Sequence, residues 1–319
     1  MQLKKFAQAA ESPRFMYFYT FGTLKIQSEI DLCPMLLPCL EGEFRNINSV
    51  HVNISVGEKI RKCDVVNMPS GEFVYGVSCH RIHFDEVALF TIYESNKIVI
   101  QYFSETQCDD VLICLLGPVL ALTCYQNQCW LMHASAVLVN NKAILFAGHS
   151  GVGKSTLASV LGKRGYPLLG DELIPVRLIS SQLYIDKGLD AVLLNSDSTD
   201  ALGCEGARKC SGKISRYMSN VGPGNIEFPA PVSHVYWLTK DAGSTKNTIE
   251  TTGVLEKTKA FIECASYRYH WIHQLKRSEQ HATFCLEAIS TIAFRRLSWA
   301  ECLGGNSTSI DDLLDDIYG

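Results

Sequence analysis

One stretch constrains this chain more than any other: Gly148-His-Ser-Gly-Val-Gly-Lys-Ser-Thr, which has the spacing G-x-x-x-x-G-K-[ST]. It follows the apolar run Ala143-Ile-Leu-Phe-Ala and opens a helix candidate, Lys154 to Arg164, that Gly165 and Pro167 stop. A strand feeding a glycine-rich turn into a helix is the context in which such a loop cradles phosphate. The glycines let backbone N–H groups turn inward without a Cβ clash, and the helix N-terminus adds partial positive charge. The expected phosphate contacts are Gly148, His149, Ser150, Gly151, Val152, Gly153, Lys154, Ser155 and Thr156. Lys154 would bridge the outer phosphates and the Ser155 hydroxyl would ligate Mg²⁺, so ATP and Mg²⁺ are the expected cofactors.

The surrounding residues narrow the chemistry. The chain has no N-K-x-D guanine-reading motif and no L-S-G-G-Q signature, which argues against a G protein or a transporter ATPase. Asp171-Glu172 follows the loop's helix at a strand end. There one carboxylate can hold Mg²⁺ and the other can accept a proton from an attacking hydroxyl. His133 opens a strand that hairpins through Asn140-Asn141 into the loop's own strand, which places it beside Gly148. Lys213 and Arg216, in a Ser/Gly-rich segment over residues 195 to 225, are candidates to close over the transferring phosphate or to grip an acidic acceptor.

His133-Ala-Ser-Ala-Val, the loop from Gly148 to Thr156, Leu157-Ala-Ser-Val-Leu-Gly-Lys-Arg-Gly-Tyr and Leu169-Gly-Asp-Glu together resemble the kinase domain of HPr kinase/phosphorylase and its relatives. About forty residues, His133 to Glu172, carry the resemblance closely. Phe21-Gly-Thr-Leu-Lys-Ile-Gln-Ser-Glu-Ile is similar to the small domain of HPr-kinase-like proteins that modify other substrates, including kinases of lasso-peptide precursors. The resemblance implies an α/β P-loop kinase fold of the phosphoenolpyruvate-carboxykinase type, with a mixed sheet flanked by helices. It implies Asp171 as general base on an acceptor serine, His133 as the histidine beside the phosphates, and Lys154 and Ser155 in their phosphate and magnesium tasks. Glu172 stands where HPr kinases have a second aspartate and is assigned to catalysis and to the metal; Thr156 stands where they have glutamate. Glu205-Gly206 is a weak counterpart of a later glutamate-containing signature.

The expected reaction is therefore phosphorylation of a serine hydroxyl on a peptide or small protein, with the C-terminal serine of a lasso-peptide precursor favoured. HPr, free serine and a nucleotide-sensing module without transfer are the alternatives. The 319 residues suggest two domains: a β-rich accessory or substrate-recognition domain over 1–128 and the kinase domain over 129–319. A net charge of -4 offers no general field for nucleic acid or anionic membrane. The 13 cysteines show no C-x-x-C spacing and read as reduced core thiols, and the N-terminus has no apolar signal-like run, so a cytoplasmic location is expected. Val111 to Tyr125, about fifteen residues interrupted by Gly117-Pro118, reads as a buried kinked helix and not a membrane span. Strand alternation accounts for His80, His83 and Asp85 without a metal. The cluster Tyr267, Tyr269, His270, Trp271 and His273 reads as core packing, and the acidic tail around Asp311, Asp312, Asp315 and Asp316 as a solvated helix face. Relatives known as hexamers make a homo-oligomer possible.

Overall fold

The computed structural model describes residues 16–33, 35–36, 39, 50–60, 65, 68–76, 79–103, 105–194, 208–210, 217–219, 226–240, 248–264, 266–298 and 307–319. Lys213, Arg216, Glu205 and most of the segment 195–225 lie outside these. The chain is mixed α/β and divides into two compact units, each built on a mixed sheet.

The first unit holds the described residues up to Cys129, together with Leu189–Ala191 and residues 208–210 and 217–219. Its seven strands are β1 (Tyr17–Phe21), β2 (Leu24–Ser28), β3 (Val50–Val56), β4 (Phe73–Tyr75), β5 (Cys79–Phe84), β6 (Ala88–Tyr93) and β7 (Lys97–Tyr102). They lie in the order β1-β2-β3-β7-β6-β5-β4, with β2, β3 and β7 parallel and the remaining neighbours antiparallel. Alternation writes the inner face: Leu24, Ile26, Val52, Ile54, Ile98 and Ile100 are at most 1% exposed. The apolar segment forms helix α1 (Cys108–Gln126), nineteen residues and thus longer than the sequence suggested, with 83% of its most apolar stretch buried. Leu115–Val119 form a π-helical turn around Pro118, which lacks the N–H that a regular ladder would need. Among the described residues this is the one helix long and apolar enough to cross a membrane. Gln126 and Asn127 tie its end to the sheet through His80 Nδ1 and the Ser95 carbonyl.

The second unit begins with β8 (Trp130–Met132), β9 (Ala134–Val139) and β10 (Lys142–Ala147). Asn140 and Asn141, both at positive φ (49° and 58°), make the two-residue β9–β10 turn that the Asn-Asn pair announces. Helix α2 (Lys154–Lys163), β11 (Leu168–Asp171), β12 (Ile174–Ile179), β13 (Gln182–Ile185) and β14 (Val192–Leu194) follow. Next in the chain come β15 (Arg208–Lys209) and β16 (Tyr217–Ser219), an antiparallel pair of the first unit. The second unit is completed by β17 (Ala230–Thr239), β18 (Thr248–Thr251), α3 (Val254–Cys264), α4 (Tyr269–Gln274), α5 (Ser278–Ser290), β19 (Ala293–Ser298) and α6 (Ser307–Tyr318). Its main path runs β11-β9-β10-β17-β13-β12-β8, and β19 pairs with both β17 and β18. Strands β10, β17 and β19 are parallel.

Register lines up a row across five strands: Asp171, Ser135, Phe146, Tyr236 and Arg295 are successive partners on one face. Helix α2 packs on β9, β10 and β11, and α6 reaches the same row. The acidic tail is therefore not simply a solvated face. The Tyr236 hydroxyl donates to Asp316 Oδ2 at 2.6 Å, Arg295 Nε lies 3.4 Å from Asp316 Oδ1, and Arg164 pairs with Asp311 at 2.6 Å. Ile310 and Leu313 are 4% and 0% exposed, while Asp311, Asp312 and Asp315 face water.

If apolar packing docks α6, Leu313→Ala should lower unfolding stability by about 2–5 kcal/mol in denaturant titrations. Asp312→Ala on the same helix should cost under about 0.5 kcal/mol. Equal effects would contradict the docking.

Candidate active site

The glycine-rich segment after β10 is held by its two ends. β10 delivers it from the core, where Ala143, Ile144, Leu145, Phe146 and Ala147 are at most 2% exposed. A Cβ on Gly148 would lie 2.7 Å from the Leu238 carbonyl oxygen, and its φ of 145° is one that side chains rarely adopt, so no other residue fits as the chain leaves the sheet. Gly151 and Gly153 take φ of 78° and 105° and complete the turn into α2. Val152, 6% exposed, pins the loop inward, while His149 and Ser150 face water. Lys154 is 7% exposed, and its ammonium donates to the Gly148 and His149 carbonyls at 3.0 and 3.2 Å, gripping its own loop. Burial lowers its proton affinity, and the charges of Asp171 and Glu172 oppose that shift.

Asp171 ends β11 one turn of α2 away from the loop. Its Oδ1 accepts from the Ser155 hydroxyl at 3.0 Å and from the Ser135 hydroxyl in a very short contact. The carboxyl is 7% exposed, and its removal from water raises its pKa; the two serine hydroxyls, the Lys154 charge and the Glu172 backbone pull in the other direction. The next residue is strained. Leu173 N–H bonds the Asp171 carbonyl at 2.8 Å across Glu172, whose φ is 65°, which makes a γ-turn of the rarer hand. Such strain concentrates at functional sites, where surrounding contacts enforce it. The Glu172 side chain is half-buried and near enough to Lys154 to act on its charge.

His133 does not open a strand. It is the single residue between β8, which pairs with β12, and β9, which pairs with β10. Ala134 faces Ala147, so His133 sits one step beyond, beside Gly148. Burial and the Lys154 charge lower its pKa to about 4, so the ring is neutral at pH 7. The Tyr267 ring meets it edge-on, with centroids 5.8 Å apart. Tyr267 is held in turn: Ser266 bridges to Met132, its hydroxyl lies 3.0 Å from His281 Nε2, and Arg268 caps α4 in a left-handed conformation, φ 45°. Of the aromatic cluster, Tyr267 and Trp271 are core and Tyr269 is half-buried, whereas His270 and His273 are exposed.

The structure thus brings together Lys154, Ser155, Asp171 and His133 around the loop, with Glu172 beside them. It adds two residues to which the sequence assigns no part in the site, Ser135 and Tyr267. Ser135 carried a signal, as a polar side chain in a strand otherwise made of Ala, Val and Leu. Tyr267 is core, as the sequence suggests, but its approach to His133 depends on a pairing more than 130 positions away in the chain. Among the described residues no group of three His, Cys, Asp or Glu has metal-holding geometry. A magnesium ion bound with phosphates would draw ligands from those phosphates and from a hydroxyl and carboxylates of the protein, and Ser155 and the Asp171-Glu172 pair would be the residues to hold it.

No protein-family model matches the chain, and no curated protein matches it. A solved structure described as the Hpr(Ser) kinase/phosphatase from Coxiella burnetii is similar over 59% of this chain and 97% of that one, at 15% sequence identity and a TM-score of 0.30.

The buried His133 gives a pH prediction. Its folded-state pKa lies below the unfolded value of about 6.5, so its contribution is complete above that pH and is lost as pH falls toward about 4. Unfolding free energy should decline over this window, and His133→Gln should remove about 3 kcal/mol of the decline. A variant whose pH dependence matches that of the wild type would show that the ring is not held neutral.

Proposed function

We propose that the protein is an ATP- and Mg²⁺-dependent kinase that transfers the terminal phosphoryl group of ATP to a serine hydroxyl on a peptide or small protein. The observation that carries this reading is the convergence of a phosphate loop with a water-excluded carboxylate, Asp171, that already accepts hydrogen bonds from two serine hydroxyls. A carboxyl whose proton affinity is raised by burial, in contact with hydroxyl donors, is suited to take a proton from an alcohol.

In this reading the backbone N–H groups of residues 148–156 and the Lys154 ammonium hold the phosphates, Lys154 exchanging its loop carbonyls for phosphate oxygens. Magnesium, when bound through Ser155 and Glu172, neutralises phosphate charge. Asp171 takes the proton of the acceptor hydroxyl as its oxygen attacks the γ-phosphorus in line and the bond to the β-phosphate oxygen breaks. Neutral His133, beside Gly148, donates a ring N–H to a phosphate oxygen and is drawn toward protonation as negative charge arrives. Lys213 and Arg216 remain candidates for the same charge.

For the acceptor, the sequence resemblance to HPr-kinase-like proteins that act on lasso-peptide precursors favours the C-terminal serine of such a precursor over HPr or free serine. That preference rests on motif likeness, since fold alone does not fix a substrate. A cytoplasmic location and a homo-oligomeric state belong to the same proposal. The rival from another class is a nucleotide-responsive binding module that transfers nothing.

With Mg-ATP and a panel of serine-bearing acceptors, intact-mass spectrometry should show the gain of one phosphoryl group on one of them. Asp171→Asn should keep nucleotide affinity and lose transfer by about 100-fold or more. Loss of Mg-ATP binding instead would move Asp171 from the base to the metal. Lys154→Ala should weaken both binding and transfer, and an unchanged affinity would refute the phosphate-loop reading.

A further inference from the structure

Next to the row that carries Asp171 runs a second row on the opposite face, one residue nearer the C-terminal ends of the parallel strands. It consists of Ala134, Ala147, Trp237, Arg296 and the exposed Glu250, on β9, β10, β17, β19 and β18. Ala147 immediately precedes the phosphate loop, so Trp237 lies one strand and Arg296 two strands from the loop's root. Both carry a buried N–H without a hydrogen-bond partner among the described residues: Trp237 Nε1 and Arg296 Nε. The guanidinium stands over the indole, 5.8 Å from its centroid, and its outer nitrogen lies 3.9 Å from Glu256. Two neighbouring buried donors left unpaired are costly, and native proteins keep such groups where something else supplies the acceptors. Glu256 belongs to the first turn of α3, whose Val254 and Leu255 are 73% and 85% exposed.

The strand order says which part of a ligand would arrive there. Asp171, on β11, lies two strands to one side of β10, whereas Arg296, on β19, lies two strands to the other. At about 4.8 Å per strand these residues are about 19 Å apart across the sheet, comparable to the length of an extended nucleoside triphosphate. With the reacting phosphoryl group at Asp171 and Ser155 and the phosphates over residues 148–155, the nucleoside end points toward β17 and β19. Ligands of open α/β sheets lie beyond the carboxyl ends of the strands, and both residues are two positions short of those ends.

We propose that Trp237 and Arg296 form the base-recognition end of the nucleotide site, with their N–H groups donating to ring-nitrogen or carbonyl acceptors of a nucleobase. The inference rests on the phosphate-loop reading above. It separates recognition of the base from recognition of the phosphates, and so predicts that the two can be lost independently.

The test compares Mg-ATP with Mg-tripolyphosphate, which has the phosphates without the nucleoside, by titration calorimetry on the full chain. Wild type should bind both. Arg296→Met, which keeps the apolar stem, and Trp237→Phe, which keeps a ring and removes only the donor, should each weaken ATP about tenfold, as one lost hydrogen bond does, and leave tripolyphosphate unchanged. Thermal melts identify a variant that has lost its fold, and the other variant then decides. Equal weakening of both ligands, or of neither, would overturn the base assignment alone. Failure of wild type to bind either ligand would refute the phosphate-loop reading and the base assignment with it.

Discussion

A carboxylate taken out of water must be repaid in hydrogen bonds or give up its charge, and the second unit is arranged around one such group. Asp171 ends an edge strand, and each of its partners comes from a different part of the local sequence. Ser135 is directly across the β9–β11 ladder, Ser155 is in the first turn of α2, and the Lys154 charge is one residue before it. These contacts require β9, β10, β11 and α2 to be in register together. A one-residue slip of β9 would carry Ser135 to the other face and leave the carboxyl buried with half its donors.

The same register accounts for the rest of the unit. The row that begins with Asp171 and Ser135 continues through Phe146 and Tyr236 to Arg295, and its far end is closed by Asp316 of the C-terminal helix. Burial pushes the Tyr236 hydroxyl far up, so it is a permanent donor to Asp316. Arg164 at the end of α2 reaches Asp311 of α6, so the helix that starts at the glycine-rich loop is braced by α6. Packing, polar pairing and the proposed chemistry use one face. The opposite face carries Trp237 and Arg296, whose Nε1 and Nε have no partner among the described residues.

Much of this was legible in the sequence, where local chemistry decides structure. The Asn140-Asn141 turn, the strand–loop–helix around residues 142–163, its stop at Gly165, and the extended Leu168–Asp171 follow from residues within a few positions of each other. What escaped depends on distant pairing. The β8–β9 break at His133 exists because β8 pairs with β12 and not with β10. Tyr267 reaches His133 through a bridge to Met132, and the acidic tail is bound because Tyr236 and Arg295 lie beneath it. Helix α1 outran its apolar core because Cys108, Asp109 and Asp110 start the helix before the hydrophobic run begins.

The account turns on Asp171 being a base whose proton affinity is set by burial and moderated by Ser135. The most direct measurement is the pH dependence of single-turnover phosphoryl transfer in wild type and Ser135→Ala. The rate should rise with pH through a single ionisation above the usual carboxylate range, since only the ionised carboxyl can accept the proton. In Ser135→Ala that midpoint should move further up, because a hydrogen bond to the charged form is lost. A midpoint that stays in place when Ser135 is replaced, or a rate that falls as pH rises through it, would contradict the account.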